Sequence, residues 1–273
     1  MKTRCISAAV MISLVVACFL LTPDSRIART VFLLAVTILA VRETCRVIKA
    51  KNVNCAPWIL YVFSAAAIAL IYLNHFSYIK ESTYYIALEI IIFLAVFAIM
   101  SAGVMCKNVR GPGALATLAV FVYPIVPILI ITKLALLDDW LIIFALACIS
   151  TWVCDSFALF GGKAFGKHKL APEVSPNKTI EGSVCGALSA IVTGLIISFF
   201  IDVSPVCCML TALISSSLGQ MGDLAASLLK RMSGVKDYSN LIPGHGGAMD
   251  RIDSLLFSIP SAYYCLLIAN VIK

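Results

Sequence analysis

Charged side chains of both signs surround a glycine-rich loop near the C-terminal end of a chain that is otherwise rich in apolar residues. The loop comprises Pro243, Gly244, His245, Gly246 and Gly247. The charged residues around it are Lys230, Arg231, Lys236, Asp237, Asp250, Arg251 and Asp253. Charged groups in or beside a bilayer are costly, so this cluster is a candidate functional site. Because glycines let backbone N–H groups approach oxyanions closely, the loop and the cations together predict a phosphate-bearing substrate.

Two acids are predicted to lie inside apolar helices. Asp223 precedes Lys230 by seven residues, which places it about 10 Å inside the cytoplasmic end of its helix. Asp155 precedes Lys163 by eight residues, at a similar depth of about 12 Å from the same side. The two acids could therefore face one polar cavity. The alternative is that each is paired with a lysine or an arginine of the helical bundle.

Two further acids, Asp250 and Asp253, stand three residues apart at the start of the last apolar segment, and this spacing predicts one face of a helical turn. Helix capping is an alternative role for one of them. Together with Asp223 they favour Mg²⁺, which takes one or two carboxylates along with substrate phosphates and waters. A second cation is left open. The three histidines lie far apart and the cysteines form no C-x-x-C pair, so nothing indicates zinc.

A second basic segment, residues 161–182, carries Lys163, Lys167, Lys169 and Lys178. Within it, Ser175 and Pro176 are typical of a helix start, with Ser175 as the cap and Pro176 at the first position. Such a start, together with Thr179, would be an anion site. A basic patch at the membrane surface and an ordinary capped turn are the alternatives.

The composition predicts an all-α, polytopic membrane protein, since 61% of the residues are hydrophobic, 13% are charged and the mean hydropathy is +1.01. We expect one membrane-embedded domain over residues 1–273, with N-terminal helices in 1–135 and catalytic helices in 136–273. Pro124 and Pro127 should kink the fifth span. The nine predicted spans are 6–22, 27–41, 57–73, 84–102, 113–132, 140–160, 183–201, 206–229 and 252–271.

The basic residues predict the topology of these spans. With a cytoplasmic N-terminus, 16 of the 21 lysines and arginines fall on the inside, including those of the loops 161–182 and 230–251. The net charge of +7 is therefore a topology signal and does not indicate nucleic acid. The first span could also be a signal sequence, but no A-x-A-like cleavage site precedes Asp24, so we expect it to be retained.

Residues 227–253 resemble the signature of the phosphatidate cytidylyltransferases, also called CDP-diacylglycerol synthases. Residues 155–182 are also similar to this family, with Lys163 where arginine is more usual. The two stretches cover about a fifth of the chain. The positions that carry the first resemblance are Ser227, Lys230, Arg231, Lys236, Asp237, Pro243, His245, Gly246, Gly247, Asp250, Arg251 and Asp253.

The resemblance implies transfer of a cytidylyl group from CTP to phosphatidic acid, which yields CDP-diacylglycerol and pyrophosphate for phospholipid biosynthesis. It implies Asp223 and Asp250 as Mg²⁺ ligands, with Asp155 and Asp253 as further candidates. His245 is assigned to loop closure over the nucleotide, with a general base and a structural residue as alternatives. The residues assigned to phosphate or substrate binding are Lys163, Lys167, Ser175, Lys178, Thr179, Lys230, Arg231, Lys236, Gly246, Gly247 and Arg251.

We expect the partners to be membrane lipid and the two substrates, and the resemblance favours a homodimer. The expected location is a bacterial inner membrane, with the active site facing the cytoplasm. One alternative is a CTP-dependent kinase of polyprenol or phytol type, which would release CDP. Another is a transporter in which Asp155, Asp223 and Glu89 form an ion path. The basic loops disfavour transport, which needs no phosphate cradle.

Overall fold

The computed structural model describes residues 26–241 and 246–272, which are mostly helical. The predicted span 6–22 and His245 lie outside these residues. A 3₁₀ turn (Lys107–Val109) and a π-helical segment (Phe121–Ile125) accompany the helices. The α-helices are α1 (Arg26–Lys49), α2 (Pro57–His75), α3 (Glu81–Met105), α4 (Pro112–Val120), α5 (Val126–Ala135), α6 (Trp140–Phe165), α7 (Ile180–Ser198), α8 (Pro205–Met232), α9 (Met249–Ile252) and α10 (Leu255–Ile268).

Within the described residues, six segments are long and apolar enough to cross a membrane: α2, α3, Pro112–Ala135, α6, α7 and α8. The protein is therefore a polytopic, mainly α-helical membrane protein, whereas the expected count of nine spans is not confirmed. In α1 the apolar stretch is short, because it lies between Arg29 and Arg42. Helix α10 has only 14 residues, or about 21 Å, which is less than the ~30 Å of a hydrocarbon core.

The chain divides into two compact units. The first contains the described residues up to Leu137 together with Met232–Arg251. The second contains Asp138–Arg231 and the described residues from Ile252 onward. The segment 232–251 thus groups with the N-terminal helices, although the sequence assigns it to the catalytic half. The single domain predicted from the sequence stays a prediction.

The first unit has an apolar core in which α1 to α5 meet, and Val41, Ile59, Ile99 and Ile125 are buried there. The predicted kink of the fifth span is confirmed, because Tyr123 has non-helical dihedral angles (φ −136°, ψ 113°) just before Pro124. Pro127 does not contribute a kink of its own. It lies in the first turn of α5, where a missing N–H costs no helical hydrogen bond.

The second unit is built on the antiparallel pair α6 and α7. Small residues let the two helices approach closely: a Cβ atom added at Gly186 would lie 2.7 Å from the Cys154 carbonyl oxygen. Helix α10 packs against α6, where the Thr151 and Ser258 hydroxyls lie 2.6 Å apart in the interior. A short antiparallel hairpin of β1 (Lys169–Ala171) and β2 (Ser175–Thr179) connects α6 to α7.

The hairpin corrects the predicted helix start at Ser175 and Pro176. Both residues belong to β2, where Ser175 is paired with Ala171, and α7 begins only at Ile180. The cap is Thr179, whose hydroxyl oxygen accepts a hydrogen bond from the Gly182 N–H (3.1 Å). The prediction was wrong because a serine followed by proline is compatible with an edge strand as well as with a helix start.

Candidate active site

A cavity of about 650 Å³ lies in the second unit, between α6, the hairpin, α7 and α8. Asp155 of α6 and Asp223 of α8 both line it, as the sequence predicts from their matching depths. Leu159 and Leu170 contribute apolar walls. The polar residues that line it are Asp155, Lys163, Asn177, Lys178, Thr179, Ser183, Gln220 and Asp223. The cavity therefore brings carboxylates, ammonium groups and hydrogen-bonding groups together in one place.

Lys178 and Asp223 form an ion pair in this cavity. The Lys178 Nζ atom lies 2.7 Å from Asp223 Oδ2, and the two side chains are 26% and 32% exposed. The alternative role considered for a buried acid, pairing with a lysine, is thus realised at Asp223. Pairing does not exclude a catalytic role. The Asp223 carboxylate already lies against a positive charge in this cavity, and a bound cation would require the same complementarity.

Hydrogen bonds keep one side of the cavity in place. Gln220 of α8 is 6% exposed, and its Oε1 accepts a hydrogen bond from the Ser183 hydroxyl (2.5 Å). Its Nε2 donates to the Cys154 sulfur (3.0 Å). The sequence analysis missed Gln220, Ser183 and Asn177. A signal for Gln220 was present, because it stands three residues before Asp223 on the same helix and so shares its face.

The hairpin is held at its base by Glu181, in the first turn of α7. Its carboxylate accepts hydrogen bonds from the backbone N–H groups of Lys167 (3.1 Å) and His168 (3.2 Å). The His168 Nδ1 atom lies 2.6 Å from Glu181 Oε1. The Lys167 and Ser175 side chains do not line the cavity, in contrast to Lys163, Lys178 and Thr179. Glu181 thus holds the start of the hairpin, whose second strand carries Lys178, against the first turn of α7.

Asp250 lies in the first unit and bonds to described residues on both sides of 242–245. Asp250 Oδ2 accepts hydrogen bonds from the backbone N–H groups of Tyr238 and Gly247, both at 2.9 Å. Gly246 has φ +83°, a left-handed conformation that favours glycine. The Gly247 N–H is thus bonded within the segment in this structure, and substrate contacts by Gly246 and Gly247 stay a prediction.

A buried glutamate that the sequence analysis missed supports the same segment. Glu43 of α1 is 3% exposed and accepts hydrogen bonds from the Ser239 hydroxyl and from the Ala248 and Met249 N–H groups. No local pattern marks Glu43, because its partners are 196 to 206 residues away in the chain.

The other residues predicted for the site differ in burial and in their hydrogen bonds. Lys230 is buried near the end of α8, and the Arg231 Nε donates to the Val174 carbonyl oxygen (3.3 Å). Lys236 and Arg251 are exposed, and Asp253 Oδ1 accepts a hydrogen bond from the Ser254 N–H (2.8 Å). The continuous helical turn expected for Asp250 and Asp253 is wrong: α9 ends at Ile252, and α10 begins at Leu255.

The donor set is suited to a hard cation held jointly with substrate. In the part of the chain that the structure describes, no group of three or more His, Cys, Asp and Glu side chains could hold a metal. Asp155 and Asp223 nevertheless line one cavity, and the Lys178 ammonium already lies against Asp223. Mg²⁺ commonly takes one or two carboxylates with waters and phosphates, so these residues fit it. Asp223 and Asp250 belong to different units, and their sharing of one ion stays a prediction.

Similar proteins were found in two comparisons. The phosphatidate cytidylyltransferase of Bacillus subtilis (strain 168) is 46% identical over 122 residues, which cover 44% of this chain and 45% of the relative. Those of Haemophilus influenzae (44% over 122 residues) and Staphylococcus haemolyticus (42% over 116 residues) match 42% of this chain and 42% and 45% of their own lengths. Each match thus spans less than half of the relative. The profile of the cytidylyltransferase family matches residues 2–269, so the chain belongs to this family.

Proposed function

We propose that this protein transfers the cytidylyl group of CTP to phosphatidic acid within a membrane. The family membership and the relatives named phosphatidate cytidylyltransferase support this assignment. The structural observation that carries it is the cavity in which Asp155 and Asp223 lie with Lys163 and Lys178, beside helices apolar enough to span a bilayer. That combination suits a polar nucleotide meeting a lipid whose acyl chains stay in the membrane.

In the proposed reaction, an oxygen of the lipid phosphate attacks the α-phosphorus of CTP. A new P–O bond forms, the bond from the α-phosphorus to the bridging oxygen breaks, and pyrophosphate leaves with the electron pair. A phosphate monoester is largely ionised near neutral pH, so the nucleophile needs no Ser-His-Asp arrangement. Catalysis then depends on positioning and on stabilising charge, which are the roles we assign to Lys163 and Lys178.

The cations outside the cavity have related proposed roles. Lys230 and Arg231 end α8, the helix that carries Asp223, and we assign them with Arg251 to phosphate contacts. Lys236 and the glycines Gly246 and Gly247 are assigned to substrate binding near His245. Lys167 and Ser175 are also assigned to substrate binding, although their side chains do not line the cavity.

Mg²⁺ is the proposed cofactor, with Asp223 and Asp250 as its ligands and Asp155 and Asp253 as further candidates. When bound, the ion would neutralise negative charge on the triphosphate and on the departing pyrophosphate. The proposed role of the protein is to hold these carboxylate oxygens on folded elements before the nucleotide arrives.

The proposed setting is the inner membrane of a bacterium. The proposed topology has nine crossings, a cytoplasmic N-terminus and a cytoplasmic opening of the site, through which CTP enters. It is supported by the concentration of lysine and arginine in the loops 161–182 and 230–251. Phosphatidic acid would enter laterally between helices. We also propose a homodimer, on the basis of the family resemblance.

The by-product of turnover tests this proposal. Protein purified into nanodiscs is supplied with CTP, Mg²⁺ and either phosphatidic acid or a polyprenol, and both pyrophosphate and CDP are measured. We expect pyrophosphate and a cytidylylated lipid only when phosphatidic acid is present. Release of CDP with a phosphorylated polyprenol would assign the protein to the lipid kinases. A lack of turnover with either lipid would contradict the proposed reaction.

A further inference from the structure

Glu43 is an acidic side chain with three hydrogen-bond donors around it in the first unit. Its Oε1 accepts from the Ser239 hydroxyl (2.6 Å) and from the Ala248 N–H (3.0 Å), and its Oε2 accepts from the Met249 N–H (2.8 Å). Its side chain is almost completely buried, with 3% exposed. A buried carboxylate is costly unless such donors satisfy it, so these three groups and Glu43 stabilise one another.

The partners of Glu43 stand on both sides of residues 242–245. Ser239 precedes these residues, and Ala248 and Met249 follow them. Asp250 makes a second set of bonds of the same kind, to the N–H groups of Tyr238 and Gly247. Two carboxylates therefore hold the backbone that enters and leaves the glycine-rich segment. One of them, Glu43, comes from a helix near the other end of the chain.

Gly247 is in direct contact with Glu43. A Cβ atom at this position would lie 2.5 to 2.7 Å from the carboxylate atoms of Glu43, which is closer than real Cβ atoms come. A side chain at Gly247 would therefore displace the Glu43 carboxylate from its donors, independently of any substrate. Because the Gly247 N–H also donates to Asp250, a displacement here would be passed to the Asp250 carboxylate.

We propose that Glu43 is a positioning residue for the reaction. It fixes the backbone at Ser239, Ala248 and Met249, and through that backbone it sets the place of Asp250. This inference rests on the proposed function for its effect on turnover. The hydrogen bonds themselves are independent of it, and they can be tested without turnover.

The main test is the variant Glu43→Gln, which keeps the size of the side chain. A glutamine has only one acceptor oxygen, so at least one of the donors that now meets a carboxylate oxygen would face an NH₂ group. Hydrogen exchange of residues 238–241 and 246–249 is measured in nanodiscs without substrate. We expect faster exchange in this segment only, while unchanged exchange would overturn the proposal whatever the enzyme does.

Pyrophosphate release per folded molecule is the second readout of the Glu43→Gln variant. We expect kcat to fall at least about tenfold, equivalent to about 1.4 kcal/mol. The matched control is Thr37→Val in the same helix, because Thr37 is equally buried and bonds only the Leu33 carbonyl oxygen. It should leave both readouts near wild type. If both variants lower thermal stability alone, with kcat unchanged, Glu43 is merely structural.

Two additional variants keep the test decisive if Glu43→Gln fails to fold. Ser239→Ala removes one donor and should accelerate exchange in the same segment to a smaller degree.

Gly247→Ala is compared in the wild-type and Glu43→Ala backgrounds. Its effect on kcat should be at least about tenfold smaller in the Glu43→Ala background, because the colliding carboxylate is absent there. If the two substitutions instead lower kcat independently, so that their effects multiply, the contact between Gly247 and Glu43 is contradicted. If wild type itself releases no pyrophosphate, the proposed reaction fails, while the exchange result still decides the role of Glu43.

Discussion

Replacing Asp223 by asparagine separates a catalytic acid from a structural ion pair. The substitution keeps the shape of the side chain and removes its charge. The structure offers two explanations for Asp223: it neutralises Lys178 at 2.7 Å, or it uses the same carboxylate to hold a cation beside the nucleotide. The two explanations predict different ratios of lost activity to lost stability.

The exposure of the Lys178–Asp223 pair limits how much the pair can contribute to stability. Both side chains of the pair keep a quarter to a third of their surface exposed, at 26% for Lys178 and 32% for Asp223. The Lys178 Nζ atom itself is buried, but water reaches both side chains and screens the pair, so its contribution to stability is about 1 kcal/mol. A loss of this size lowers the Tm of a protein of this length by about 2–4 °C. A charged group that stabilises the transition state contributes much more, and removing one such group slows turnover about 10²–10³-fold.

The assay follows pyrophosphate release and thermal unfolding of the same nanodisc preparation. For Asp223→Asn we expect a rate at least about 10²-fold below wild type, with a small change in Tm. The matched control is Asp202→Asn, which makes the same chemical change at an exposed site of the same unit that does not line the cavity. A near wild-type rate in Asp223→Asn would remove Asp223 from the mechanism and leave it as a partner of Lys178 alone.

Three further results follow from the described contacts. Thr179→Ala removes the hydroxyl that caps α7 and should lower the free energy of unfolding by about 1 kcal/mol, whereas Thr179→Ser should stay close to wild type; equal losses would argue against the cap. Gly182→Ala places a Cβ atom 2.5 Å from the Ala158 carbonyl oxygen and should cost about 1–3 kcal/mol, and an unchanged unfolding temperature would show that the two helices can move apart. Chelation of divalent ions should stop pyrophosphate release until Mg²⁺ is restored, and continued turnover in chelator would exclude the cofactor.

Much of the helical framework could be predicted from the sequence because its signals are local. The apolar run 84–102 lies within Glu81–Met105, and the run 140–160 lies within Trp140–Phe165. The shared cavity of Asp155 and Asp223 was also predictable, since equal distances from the basic ends of two helices give equal depths. The count of nine spans stays a prediction: in the described residues α1 and α10 are helical but too charged or too short to be counted as crossings by length and composition, and the span 6–22 lies outside these residues.

The parts that could not be predicted depend on pairs of residues far apart in the chain. Ser175 and Pro176 are compatible with a helix start and with a strand. The pairing of Ser175 with Ala171 of β1 decides for the strand. Glu43 has no periodic or motif signal, because its role is defined by donors that lie about two hundred residues later. Asp250 was recognised as an important acid, but its bonds to the Tyr238 and Gly247 N–H groups depend on a turn that spacing alone does not describe.

The distance in sequence between Glu43 and its donors has a consequence for biosynthesis. Helix α1 leaves the ribosome long before Ser239, Ala248 and Met249 are translated. Until then the Glu43 carboxylate has none of these three donors, and an unsatisfied acid favours a hydrated environment over a packed interior. The bonds of Glu43 to Ser239, Ala248 and Met249 can therefore form only after Met249 has been translated. Ribosome-bound chains that stop before Ser239 should leave Glu43 accessible to water.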